Sequence, residues 1–227
     1  MTQKFDNLVE IPELRNLNKL FQDREHAGIV LADMMAYYKD TDSIVFGIPA
    51  GGVPVAASMA SKLNLNLDVL VVSKITLPWN TEAGYGAVAY DGTVELNTKV
   101  LSQIGLTDDQ IKTGIEKAKI KVERRLKEFR GVKPFPDTGK HTIILVDDGV
   151  ASGFTMLVAV EALKKTGANK IIIAIPTAHL QSLELIAPEV DKIYCANVQN
   201  GWGFAVADAY QNWYDVSEGE VIEIISK

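Results

Sequence analysis

Cysteine is nearly missing. The 227 residues contain one, Cys195, and three histidines. No internal disulfide can form, and no Cys/His framework for zinc is present. Long hydrophobic runs are also missing. The longest, IIIAIPTA at 171–178, is far too short to span a bilayer. The opening MTQKFDNLVEIPELRN has no apolar signal core. These absences predict a cytoplasmic protein with no membrane partner. Positive charge is in deficit: Lys+Arg is 23 and Asp+Glu is 29, a formal net charge of −6. No basic stripe or DNA-binding helix pair is visible, which argues against a nucleic-acid partner. There is no GxSxG elbow for a serine hydrolase, no Walker A lysine and no GxGxxG turn.

What remains is an ordinary globular composition, 47% apolar and 23% charged. Near-continuous Val/Ile/Leu runs at 43–48, 67–73, 141–147, 169–175 and 191–196 read as strands covered on both faces. Helical patterns fall between them at 23–40, 52–64 and 154–167, with Lys164 and Lys165 in a last turn and Gly167 as its C-cap. This alternation predicts an α/β fold with a doubly wound, mostly parallel sheet. Two segments break the rhythm. The stretch 76–97, with three glycines, reads as a long loop or loose hairpin of the kind that serves as a lid. Residues 107–131 read as a long charged helix. Thr107 and Gln110 form its capping box, and Ile111, Ile115, Ala118, Val122 and Leu126 make a narrow apolar stripe. Its charge run reads as a solvated face.

The segment richest in chemistry is ILVDDGVASGFT at 144–155. A buried strand ends in two carboxylates, Asp147 and Asp148, followed by a small-residue turn and a helix. In an open parallel sheet, ligands bind at the carboxyl ends of the strands. A small-residue turn into a helix N-terminus exposes amides that suit a phosphate, and the Ser152 and Thr155 hydroxyls can join them. Two acids beside a phosphate site make sense if they accept hydrogen bonds from ribose hydroxyls or hold Mg²⁺ through water. The alternative is an acid-rich strand end that merely favours the helix dipole.

VDDGVASGFT resembles the motif of type I phosphoribosyltransferases that binds 5-phosphoribosyl-1-pyrophosphate (PRPP). The resemblance implies that Asp147 and Asp148 hold the ribose, and that Ala151, Ser152, Gly153, Phe154 and Thr155 line the phosphate turn. It places Ala50, Gly51 and Gly52, within GIPAGGVPVA, in a pyrophosphate loop. Lys74 then becomes a cation for pyrophosphate, and Tyr85 part of a flexible catalytic loop. The C-terminal stretch 201–225 is similar to the end of purine phosphoribosyltransferases. That likeness makes Trp202 or Phe204 a base-stacking residue and Asp208 a third acid for the metal, with Asp147 and Asp148. A single domain over 1–227 is implied, with a core at about 23–196 and a small hood from 197–227 with the N-terminal segment.

The expected activity is Mg²⁺-dependent transfer of the 5-phosphoribosyl group from PRPP to a nitrogenous base, with release of pyrophosphate. A salvage enzyme working as a homodimer follows from the same resemblance. Two departures stand against it. Ala50 occupies a position where related loops often carry Arg or Lys, and Ala151 one where six-oxopurine enzymes place an aspartate base. The strand end IAIPTAH (173–179) also lacks a lysine for a 6-oxo group, leaving only His179 nearby. These departures support the alternative, a non-catalytic PRPP- or nucleotide-binding regulatory module.

Overall fold

A computed structural model of the chain describes residues 5–201 and 203–226, with all side chains in that span except those of Thr81 and Glu82. Six parallel strands form the main sheet: β1 (Leu8–Glu10), β2 (Ile44–Gly47), β3 (Asn66–Val69), β7 (Thr142–Val146), β8 (Lys170–His179) and β9 (Lys192–Gln199). Their spatial order is β1-β9-β8-β7-β2-β3. Side chains alternate across β7. Ile144 and Val146 pack toward Leu31 of helix α1 (Arg24–Met34), Met35 just past its end, and Val55 and Met59 of helix α2 (Gly52–Leu63). Ile143 and Leu145 pack with Met156, Val160, Leu163 and Leu183 of helices α5 (Phe154–Lys165) and α6 (Leu180–Ile186). Burial on both faces is why these strands read as unbroken apolar runs.

The order of the sheet positions the site. β2 and β7 are parallel neighbours whose last residues, Gly47 and Val146, are in register. From β2 the chain passes through α2 outward to β3. From β7 it passes through α5 in the opposite direction, to β8. The crevice between the ends of β2 and β7 is therefore a topological switch point, where open α/β sheets bind ligands.

Several expectations are corrected. The run 67–73 is not one strand: β3 ends at Val69, and β4 (Val72–Leu77) belongs to a second, antiparallel sheet with β5 (Asn80–Ala89) and β6 (Val94–Leu96). Leu70 and Val71 between them are fully buried, so apolar patterning carried straight across the break. The stretch 76–97 is sheet rather than loose lid. Its Gly86 serves close packing, since a Cβ there would lie 2.6 Å from the Glu95 carbonyl. The C-terminal end forms a helix, α7 (Glu218–Ile225). Strand β1 and the short helix α3 (Thr98–Ile104), bracketed by the Asn97 N-cap and the left-handed Gly105, were not among the expected elements.

The charged helix is as expected. α4 (Asp108–Arg130) begins on the Thr107–Gln110 capping box and buries Ala118, Val122 and Phe129. It lies against the hairpin of β4 and β5, with Ile75, Tyr85 and Val88 in the shared core. The C-terminal segment meets the N-terminal one: Phe21 and Tyr210 pair as a β-bridge, and the Asn197 amide donates to the Leu14 and Leu17 carbonyls. No helix among the described residues is long and apolar enough to cross a membrane.

Candidate phosphate and ribose site

A cavity of about 590 Å³ opens at the switch point. The turn after β2 supplies Pro49, Ala50 and Gly51. The turn after β7 supplies Asp147 through Gly153, and Thr155 follows on α5. Glycine at 51 is a requirement of this meeting, because a Cβ there would collide with the Asp148 carboxylate. Gly52 sits beneath, where a Cβ would be 2.7 Å from the Val146 carbonyl. It allows close approach without lining the cavity.

The β7 turn is held rigidly. The Val150 amide donates to the Thr177 carbonyl, and the His179 amide donates to the Val150 carbonyl, each at 3.0 Å. The Ser182 hydroxyl donates to the Ala151 carbonyl. Gly153, at φ 78°, turns the chain into α5. The amides of Ala151, Ser152 and Gly153 have no acceptor among the described residues. Adjacent free donors beside a helix N-terminus form an anion cradle.

The two acids sit in unequal environments. The Asp148 amide donates to Asp147 Oδ1 at 2.9 Å. Burial, then the neighbouring Asp148 charge, pushes the Asp147 carboxyl well above the usual carboxylate range. Burial also pushes Asp148 up, against the opposing charge of Arg24. Arg24 Nε donates to Asp148 Oδ2 at 2.9 Å. Its guanidinium also donates to the Tyr214 carbonyl at 2.9 Å and lies 4.0 Å above the Trp213 ring. The Tyr210 hydroxyl donates to the Asp148 carbonyl at 2.6 Å.

Of the residues expected in the site, Asp147, Asp148, Ala151, Ser152, Gly153, Thr155, Ala50, Gly51 and Lys74 converge on this cavity. The rest do not. The Phe154 side chain turns away to pack with Leu157 beside Glu95. Tyr85 is fully buried against α4, its hydroxyl occupying the space a side chain at Gly114 would need. It does not close over the cavity. Phe204 lies outside the lining, with its ring 6.3 Å from that of His179. Asp208 is exposed, and its carboxylate accepts the Ala205 amide at 3.3 Å, capping a 3₁₀ turn instead of joining the other acids. Trp202 lies outside the described residues. Among those residues, no group of three or more His, Cys, Asp or Glu side chains is placed to hold a metal ion.

Sequence reasoning missed Arg24, Lys121, Arg125, Trp213 and Asp215, all of which line the cavity. Arg24 did leave a signal. It sits on the buried stripe of α1 with Ala27, Gly28, Leu31 and Ala32, and an arginine at a core-facing position needs a partner. For Lys121 and Arg125 no signal existed, because nothing local says which element covers α4.

A family model described as the phosphoribosyl transferase domain matches residues 21–209. A Mycobacterium tuberculosis H37Rv protein, provisionally named a phosphoribosyl transferase, is 35% identical over 210 residues, covering 92% of this chain and 47% of its own. The chain thus spans about half the length of the curated mycobacterial relatives it matches. An adenine phosphoribosyltransferase of Bordetella parapertussis is 29% identical over 160 residues, 69% of this chain and 64% of that one. Among solved structures, the TT1426 protein of Thermus thermophilus superposes with a TM-score of 0.72 at 29% identity, covering 90% of this chain and 97% of the other. The AQ2163 protein of Aquifex aeolicus shares the fold, with a TM-score of 0.51 at 15% identity, covering 96% and 98% of the two chains.

Proposed function

The chain belongs to the phosphoribosyl transferase family, and from that premise we propose that it transfers the 5-phosphoribosyl group of PRPP to a nitrogenous base. The C1–O bond to pyrophosphate breaks, a C1–N bond forms, and pyrophosphate leaves. One observation carries the reading: the paired acids, the free amides of 151–153 and the turn at 49–51 all line one cavity. Asp147 and Asp148 would accept hydrogen bonds from the ribose hydroxyls. The turn 151–155 would take the 5′-phosphate, and the turn at Ala50 and Gly51, with Lys74, the pyrophosphate. Such a reaction asks the protein for positioning and charge stabilisation rather than covalent help.

The donor set suits a magnesium ion that arrives with its substrate. Asp147 and Asp148 offer hard oxygens, and Mg²⁺ is commonly held by one or two carboxylates plus substrate phosphates. When bound, the ion neutralises pyrophosphate charge. A cytoplasmic setting, a homodimer and a role in base salvage belong to the same proposal.

A second reading, a PRPP- or nucleotide-binding regulatory module without turnover, is favoured by the ion pair that already engages Asp148 with Arg24. One experiment separates the two. PRPP with Mg²⁺ is titrated calorimetrically into the wild type and the Asp147→Asn/Asp148→Asn double variant, and pyrophosphate release is then followed with each common nucleobase. Transfer predicts binding that depends on the acids, plus release with at least one base. Binding without release favours the module. No binding at millimolar PRPP overturns transfer and a PRPP-binding module alike, leaving only a nucleotide-binding one.

A further inference from the structure

The cavity has two poles. Asp147 and Asp148 lie at one, at the end of the parallel sheet. Lys74 of β4, with Lys121 and Arg125 of α4, lies at the other. Of the other cations on α4, Lys119, Arg124 and Arg130 form ion pairs, while Lys112, Lys117 and Lys127 form none among the described residues but lie outside this cavity. Lys119 pairs with Glu116 at 3.0 Å, and Arg124 pairs with both Glu128 and Glu218 at 2.7 Å. Arg125 shares Glu218 at 2.8 Å. Lys74 and Lys121 form no ion pair among the described residues. Both are solvent-exposed, and both line the cavity, where their charge meets whatever binds there. Crowding makes the arrangement costlier. Lys121 is held below the ordinary lysine range by desolvation and then by Arg125, with Glu218 opposing and Arg124 and Lys74 adding to it. An anion in the cavity would relieve the remaining repulsion. The turn at 49–51 in the same cavity carries no charged side chain.

We propose that Lys121 is a phosphate-binding residue of this cavity, acting with Lys74 on the pyrophosphate end of the ligand. A helix from the neighbouring sheet thereby supplies a cation that the turn at Ala50 does not carry. Arg125, already neutralised by Glu218, has the smaller part. The inference deepens the proposed function and rests on it for the ligand's identity, but the cation wall itself calls only for a polyphosphate anion.

The test uses inorganic pyrophosphate as the probe, titrated into the full chain. Lys121→Gln keeps helix propensity and should weaken binding about tenfold, the loss expected for one charge-assisted contact. Lys121→Arg should restore most of it. Lys121→Met is the second variant should the glutamine fail to fold. Lys119→Gln, which removes one charge from the same helix outside the cavity, should bind like the wild type.

Pyrophosphate affinity in Lys121→Gln within twofold of wild type overturns the inference, as does an equal loss in Lys119→Gln. So does failure of the wild type to bind pyrophosphate at millimolar concentration. The two proposals fail separately. Acid-dependent PRPP turnover with no effect at Lys121 sinks the inference alone. Pyrophosphate binding that needs Lys121, in a chain that ignores PRPP, sinks the functional reading alone.

Discussion

Asp147 and Asp148 are adjacent in sequence and unequal in chemistry. Arg24 gives Asp148 a paired counter-charge, while Asp147 has its neighbour's amide and only the unpaired charge of Lys74 nearby. A carboxyl whose folded-state pKa lies above its unfolded value takes up its proton more readily when folded. The stability it contributes is fully present below the unfolded value, near about pH 3.9. It is lost as pH rises through the folded value. At a pH above its folded-state value, the Asp147 charge costs stability. Asp147→Asn preserves the shape and the Oδ1 acceptor. It should raise stability by about 1–2 kcal/mol at about pH 7, as relief of a strained functional group commonly does. The gain should fade as pH falls below about 3.9, where the carboxyl becomes protonated in the unfolded state as well as the folded one. Calorimetric melting of both proteins across this range is the check. A variant no more stable than wild type at neutral pH would show that Asp147 is not strained by its charge.

At the scale of elements, what could be read from the sequence depended on whether the signal was local. The strands at 43–48, 141–147 and 191–196, the capping box at Thr107 and the turn 147–155 are written in consecutive residues, and they stand in the structure. The bend between β3 and β4 is not, because Leu70 and Val71 are buried on either side of it. The second sheet was hidden by its glycines, which read as loop, although Gly86 serves close packing between β5 and β6. Tyr85 follows from that misreading. Its hydroxyl is buried with no hydrogen-bond partner among the described residues. An unsatisfied buried hydroxyl costs about 1–3 kcal/mol. Tyr85→Phe should accordingly stabilise the packing of α4 on the hairpin by about 1 kcal/mol and leave PRPP turnover unchanged. Denaturant unfolding together with a pyrophosphate-release assay decides it. A large loss of turnover would return Tyr85 to the reacting centre, as its sequence context suggested.

At the scale of the molecule, the cavity draws on parts of the chain that lie far apart. The ends of β2 and β7 form its floor, α4 and β4 one wall, and Arg24 with Trp213, Asp215 and Val216 another. The family match stops at residue 209, yet three lining residues lie beyond it. Arg24 joins these regions: it grips Asp148 on the floor and lies against Trp213 and the Tyr214 carbonyl in the C-terminal segment. A ligand that settles on the acids must act on that guanidinium, and through it on the segment. Ligand-induced ordering then spreads only if the contacts between floor and segment have differential strength in the two states. Amide exchange measured with saturating PRPP and Mg²⁺ should slow over residues 206–216 as well as 147–155. In Arg24→Met, protection should survive at 147–155 and fall away at 206–216, because the methionine fills the space but holds neither partner. Protection confined to 147–155 in the wild type would make the C-terminal segment a passive cover. Protection of both regions in Arg24→Met would mean that the Tyr210 hydroxyl, 2.6 Å from the Asp148 carbonyl, carries the coupling instead.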